Sequence, residues 1–218
     1  MALVTEGLVL VNDKPCFINQ TLFRNDTIKY NGEIIYQPPS YLYLALNKPR
    51  GIECTYNRTI PNNLLTFLPV EFQAAFPVGR LDKDSEGLLF LTTDGYFSDK
   101  IFRADWHFEK EYQVTTKENI TDEQLDLLAN GIVILGQLTR KCKVSRIAKN
   151  SFSIILSQGI NRQIRRMCYK IGHEVIRLKR IRIGSFNLPD EAPIGSIIEL
   201  PTNTVSELLG GIWPTLKA

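Results

Sequence analysis

Short apolar runs separated by Gly, Pro and Asn-Gly dominate the chain, and they predict many strands and few helices. Residues 7–12, GLVLVN, form a short apolar strand, followed by the turn cluster Asp13-Lys14-Pro15. Residues 27–30 and 33–36 flank Asn31-Gly32, the pair favoured in a type I′ hairpin because both central residues need positive φ. Pro38-Pro39-Ser40 then reads as a linker, which makes residues 1–39 a small β unit. From Tyr41 the alternation lengthens. Strands are expected at 41–46, 87–93 (GLLFLTT), 111–116, about 140–147, 151–157, 174–186 and 196–200. The stretch 41–46 ends in a loop, Asn47-Lys48-Pro49-Arg50-Gly51, and Asp94-Gly95 ends the strand at 87–93. Residues 96–103 have helical spacing. Thr121-Asp122-Glu123-Gln124 is a capping box for a helix closed by Gly131, and residues 161–171 read as a helix with Asn161 as N-cap and Gly172 past its end. Strands outnumber helices and are joined by short turns. The expected class is therefore α+β, a mixed and largely antiparallel sheet flanked by helices, with the small N-terminal β unit attached.

Composition narrows the class without naming a function. The 218 residues are 44% hydrophobic and 22% charged, as in a globular protein with a sizeable core. Cys16, Cys54, Cys142 and Cys168 are scattered, with only His107 and His173 to join them, so neither a zinc site nor a disulfide framework is expected. No stretch reaches the length of an apolar membrane span, and the N-terminus has no basic leader; the chain reads as soluble and cytoplasmic. The net charge of +3 is nearly neutral, yet it is unevenly distributed. Residues 161–182, NRQIRRMCYKIGHEVIRLKRIR, hold eight Lys and Arg against Glu174 alone, a local +7 that leaves the other 196 residues at −4. Such a segment is either a phosphate-binding footprint or a solvated face paired with the acidic remainder.

Residues 76–95, FPVGRLDKDSEGLLFLTTDG, hold the most information. Asp82, Asp84 and Glu86 alternate before Gly87, superficially like the start of a calcium loop. The twelfth position would be Thr93 rather than a bidentate Glu, and the second half is an apolar strand, so that reading fails. GRLDKDSEGLLFLTTDG instead resembles the catalytic-aspartate motif of the RNA pseudouridine synthases of the RsuA/RluB/RluE/RluF type. LNKPRG at 46–51, KEYQV at 110–114 and QGINRQIRRMC at 158–168 resemble that family's other blocks, in the same order. The last block and Asp82-Lys83-Asp84-Ser85 are most similar to the RluF branch, which modifies uridine in large-subunit ribosomal RNA. The likeness runs from about residue 41 to 200, and four blocks in register carry far more weight than any one. It implies a partial S4-like RNA-binding module at 1–39, a catalytic domain at 40–202 and a C-terminal segment of unassigned role at 203–218. GLVLVNDKP and the hairpin at Asn31-Gly32 resemble the second half of an S4 domain. Its two leading helices are almost wholly missing before Gly7, so the module is either naturally short or the chain is cut.

The resemblance implies a chemistry and roles. Pseudouridine forms when the N1–C1′ glycosidic bond breaks, the uracil turns and C5 rejoins the ribose; no atom is lost and no redox change occurs, so no metal or organic cofactor is expected. An ionised carboxylate is needed beside the ribose, as nucleophile at C1′ or base at C2′, and the motif assigns this to Asp82. A carboxylate in a water-excluding pocket tends to protonate, which a fixed guanidinium opposes. Arg165 matches that partner and is expected to pair with Asp82, although it could be one more phosphate-binding arginine. Tyr112 matches the aromatic residue that stacks on the flipped uracil and is expected, as a catalytic residue, to help in proton transfer at C5, although a strand Tyr taken alone is a core residue. Ile164 matches an apolar residue packing on the other side of the base, or else is a core position of its helix. Arg80, Lys48, Arg162 and Arg166 are candidates for phosphate contacts and for orienting the flipped nucleotide, or are structural. His107 and His173 are not expected to be catalytic. The expected partner is ribosomal RNA, 23S first, with 16S or a tRNA loop as the alternative substrate, acted on by a monomer. A different class of function, a non-catalytic RNA-binding ribosome assembly factor, stands as the competing reading.

Overall fold

The computed structural model describes residues 2–23, 26–102 and 108–210. The chain divides into two compact units, with residues 1–41 in the first and Leu42–Leu208 forming the second. In the first, a short helix α1 (Ala2–Thr5) precedes strands β1 (Val9–Val11), β2 (Lys14–Pro15), β3 (Ile28–Tyr30) and β4 (Glu33–Tyr36), in the antiparallel order β2-β1-β3-β4. Asn31 and Gly32 join β3 to β4 at φ 49° and 83°, the two positive values a type I′ turn requires. The turn expected at Asp13-Lys14-Pro15 lies one residue earlier. Asn12 and Asp13 take the positive φ values, which their short polar side chains tolerate, and Lys14 and Pro15 already pair with Val11 and Leu10.

The second unit is built on a nine-stranded sheet. Its elements in chain order are β5 (Tyr43–Lys48), α2 (Leu64–Phe67), β6 (Phe76–Pro77), β7 (Glu86–Thr92), α3 (Gly95–Phe102), β8 (Lys110–Thr116), α4 (Asp122–Asn130), the hairpin β9 (Val133–Ile134) and β10 (Gln137–Leu138), β11 (Lys143–Ala148), β12 (Ser151–Leu156), α5 (Gln163–Lys170), β13 (Val175–Ile183), β14 (Phe186–Asn187), β15 (Ile197–Glu199) and α6 (Thr202–Leu208). The sheet order is β11-β12-β8-β13-β7-β5-β15, with β14 beside β13 and β6 beside β7; the hairpin β9–β10 stands apart. Only the β13–β7 pair is parallel, so the sheet is mixed and largely antiparallel. The expected loop at Asn47-Lys48 is instead the end of β5, both residues being buried in the ladder with Leu88 and Gly87. The segment from residue 203, left without a role in the sequence, begins in α6, where Val205 and Leu208 are buried; residues 211–218 and His107 lie outside the described residues.

Strands β5 and β7 are buried along their whole length, which explains their continuous apolar composition. On one face Leu44, Leu46, Leu89 and Leu91 pack with Leu64, Leu68, Ala75 and Leu81. On the other, Phe90 meets Phe97 of α3 and Phe186 edge-on, with ring centroids 5.8 and 5.6 Å apart. A second cluster, centred on Val114, Phe152, Ile154 and Leu178, seats α4 and α5. Helix α4 has the reciprocal capping box of Thr121 and Gln124 and closes at Gly131, φ 97°. Among the described residues no helix is long and apolar enough to cross a membrane.

Candidate active site

The loop carrying Asp82 is held by bonds on either side of that residue. The Leu81 amide donates to Cys54 Sγ at 3.4 Å, and the buried Leu81 side chain belongs to the leucine cluster. The Ser85 amide closes a turn onto Asp82 O at 3.0 Å, and the Gly51 amide donates to Lys83 O at 2.8 Å. Arg165 Nη2 adds a bond to Asp84 O at 3.0 Å. With its backbone so fixed, the Asp82 carboxylate is 29% exposed, open enough to meet a substrate.

Register across the sheet sets a row of side chains on the leucine face. Ile154, Tyr112, Arg180, Gly87 and Lys48 lie opposite one another on β12, β8, β13, β7 and β5, and directly opposed residues share a face. Tyr112 is half-buried and packs against both clusters, the one containing Leu81 and the one containing Ile164. Gly87, at φ 98°, is required where β7 meets β13: a Cβ there would lie 2.2 Å from Arg180 O. Arg180 is 3% exposed, donates from Nε to Leu88 O at 2.7 Å and leaves Nη2 buried without a partner among the described residues. Lys48 is fully buried. Burial pushes its pKa down, opposed by Cys54, Asp82 and Asp84, while Arg180 adds to the fall. Lys110, also near Arg180, is brought down to about 8, by burial first and by that guanidinium second.

This geometry corrects three expectations. Of the two roles open to Lys48, the geometry supports the structural one, against a phosphate contact: its buried ammonium donates to Pro49 O and Ile52 O, both at 2.8 Å, and shapes the turn that carries Gly51. The guanidinium that faces Asp82 belongs to Arg162, with Nη1 3.6 Å from Asp82 Oδ2 and 3.8 Å from Asp84 Oδ2. Arg165 does not make that ion pair; it donates to Val175 O at 2.8 Å and to Asp84 O, tying α5 to the Asp82 loop. Asn161 is likewise not the N-cap of α5. Arg162 occupies that position in the left-handed region, φ 52° and ψ 35°, and Asn161 O accepts from Arg166 Nε at 3.0 Å. A non-glycine residue held there costs about 1 kcal/mol, and here it turns a guanidinium toward two carboxylates.

Of the remaining candidates, Ile164 is 4% exposed within the core cluster, which accounts for it as a helix-packing residue. Arg80 is exposed on the loop before Asp82 and has no hydrogen bond or ion pair among the described residues. Glu86 is separated from Asp82 and Asp84 by its pairing with Arg177, whose Nη2 lies 2.6 Å from Glu86 Oε1. His173 is buried, with Nε2 2.9 Å from Gln124 Oε1, and serves the α4 contact. Three residues escaped sequence reasoning: Arg180 as a buried cation of the row, Lys110 as a half-buried cation near it, and Cys54 as the acceptor behind Leu81. Arg180 was visible only as one of eight basic residues, and no local pattern distinguishes it from the others. The outer surface of α5 forms a groove with Arg162, Arg166 and Lys170 along it.

Comparison with known proteins bears on the fold and the family. A family model described as RNA pseudouridylate synthase matches residues 42–170. A Salmonella typhi protein, "Dual-specificity RNA pseudouridine synthase RluF", is 41% identical over 207 residues, covering 94% of this chain and 71% of that relative. A Yersinia pestis protein, "Ribosomal small subunit pseudouridine synthase A", is 30% identical over 185 residues, 83% of this chain and 78% of its own length. A solved "pseudouridylate synthase" structure superposes with TM-score 0.73 at 26% identity, over 95% of this chain and 91% of that one. The family match over more than half of the chain, these relatives and the shared fold make the chain a member of the RNA pseudouridylate synthase family.

Proposed function

We propose that this pseudouridine synthase acts on a uridine of ribosomal RNA, 23S first, with Asp82 as the carboxylate at the ribose. The observation that carries the reading is the Asp82–Arg162 pair, a partly exposed carboxylate on a loop held by hydrogen bonds, with its countercharge 3.6 Å away. The target nucleotide leaves its stack at a cost of a few kcal/mol, least in a loop or bulge. Asp82 then acts at C1′ as nucleophile or at C2′ as base, and the N1–C1′ bond breaks. The freed uracil turns against the Tyr112 ring and C5 bonds to C1′, displacing the Asp82 carboxylate in the nucleophile route or accompanied by return of the proton to C2′ in the base route; the proton that C5 then loses is balanced by one gained at N1. Arg80 on the rim and Arg162 beside Asp82 are suited to the flanking phosphates. Residues 1–39, with their S4-like hairpins, serve as an RNA-binding appendage. The printed name of the relatives, dual-specificity, favours a second RNA substrate as well, for which 16S ribosomal RNA or a tRNA loop is the alternative carried over from the sequence.

The test uses ribosomal RNA and tRNA carrying tritium at uridine C5, from which each turnover releases one label. Wild-type protein should release tritium from 23S RNA, and Asp82→Asn should release none while its RNA affinity stays within a few-fold. Turnover by Asp82→Asn at the wild-type rate would remove Asp82 from the mechanism. Release confined to 16S RNA or tRNA would move the target.

A further inference from the structure

Helix α5 has two unlike faces. Gln163, Ile164, Met167 and Cys168 are buried, while Arg162, Tyr169 and Lys170 are exposed and Arg166 is half-buried. The groove of about 490 Å³ on that outer side is lined by Arg162, Arg165, Arg166, Lys170 and Tyr169, and across from them by the tip of the β9–β10 hairpin at Leu135. Among the described residues four cations line it and no carboxylate does. Two apolar groups are spent on water here. Tyr169 is 80% exposed, and Leu135 is 60% exposed and held at φ 48°, a strained value for leucine. The groove also opens from the reaction site, because Arg162 both lines it and faces Asp82.

We propose that this groove binds the single-stranded RNA adjoining the target uridine, with one base stacked on the Tyr169 ring and neighbouring phosphates on Arg166 and Lys170. The proposal rests on RNA being the substrate and deepens that reading. Cations tracking a backbone beside an exposed aromatic ring are the features a single strand uses, since phosphates meet the charges and any base offers a π-face. An acidic peptide would satisfy the cations but has no use for the ring, whereas the proposed RNA substrate must reach Asp82 beside the groove. From Arg162 to Tyr169 is about 10 Å along the helix axis, roughly three stacked nucleotides. The stacked base is therefore a near neighbour of the target.

Binding is measured by fluorescence anisotropy with a single-stranded mixed-sequence oligoribonucleotide of about a dozen nucleotides, and with an RNA duplex of the same length. Tyr169→Ala should weaken single-strand binding about tenfold and leave duplex binding unchanged, because paired bases cannot stack on the ring. Tyr169→Phe should bind within twofold of wild type, and 2-aminopurine in the strand should lose its stacking quench in Tyr169→Ala only. The exposed ring makes unfolding of either variant easy to exclude by thermal melting. Wild-type single-strand affinity in Tyr169→Ala, or equal losses on both RNAs, would overturn the proposal. Unchanged affinity for naked RNA with lost modification of assembling ribosomal particles would assign the groove to a protein, overturning it too. Affinity is read without turnover, so failure here leaves the tritium test of Asp82 standing.

Discussion

Arg162 and Arg165 are three positions apart at one helix end, close enough for a sequence motif to exchange their roles. Arg162 sits in the left-handed region and faces Asp82, whereas Arg165 is committed to two backbone carbonyls. Their variants should therefore fail differently. Arg162→Ala should lower kcat about 10- to 100-fold with little change in melting temperature, since only a rim contact to the reacting region is lost. Arg165→Ala should lower stability by about 1.5–3 kcal/mol, seen in urea unfolding, because Val175 O and Asp84 O lose charge-assisted donors. Lys110 yields a pH prediction. Its folded pKa, about 8, lies below the ordinary lysine value of 10.5, so the unfolded chain binds more protons between these values and stability rises with pH there. Lys110→Met should therefore be more stable than wild type at pH 7, with the advantage shrinking as pH rises from 8 towards 10. A gap independent of pH in paired thermal melts would show that the lysine's charge is not its cause.

Local signals predicted elements well wherever the stabilising contacts were themselves local. The α4 capping box needs only Thr121, Gln124 and Gly131, and all three occupy their expected places. The end of α5 is similar: Gly172 at φ 85° follows the last turn, with its amide bonded to Tyr169 O and the His173 amide to Cys168 O. The start of α5 and the end of β5 were not legible, because distant partners decide them. Arg162 displaces Asn161 as the cap in the same turn that meets the Asp82 loop, and Asn47 and Lys48 stay in β5 because β7 pairs with them. The β7–β13 junction is the extreme case. Its one requirement, no side chain at residue 87, comes from a carbonyl 93 positions away. Gly87→Ala should cost more than about 2 kcal/mol, from both the clash with Arg180 O and the positive φ. Denaturant unfolding measures this loss, and a near-neutral result would mean that the two strands can separate freely.

At the scale of the molecule, the +7 of residues 161–182 does not act as one footprint. Arg177 is paired with Glu86, Arg182 with Glu109 and Glu111, and Arg180 is buried, so three of the four cations of the strand half, all but Lys179, are committed within the protein. The helix half faces the groove. Arg166→Ala and Lys170→Ala should thus each reduce the slope of log affinity against log salt by about one, with Arg177→Ala leaving the slope unchanged and lowering stability. Equal slopes for all three in RNA titrations would mean that the segment binds phosphate along its whole length. The amino-acid sequence by itself determined the mixed α+β class, the hairpin at Asn31-Gly32, the capped helix α4, the family blocks and the loop that bears Asp82. Each depends on residues near one another in the chain, where periodicity, turn geometry and motif spacing express the physics directly. Only the tertiary structure decided that Arg162 rather than Arg165 faces Asp82, that Lys48 is a buried brace, and that Arg180 lies beside it across Gly87. Those outcomes were settled by strand register and by competition among many similar cations for a few carboxylates and carbonyls, quantities that exist only once the sheet has closed.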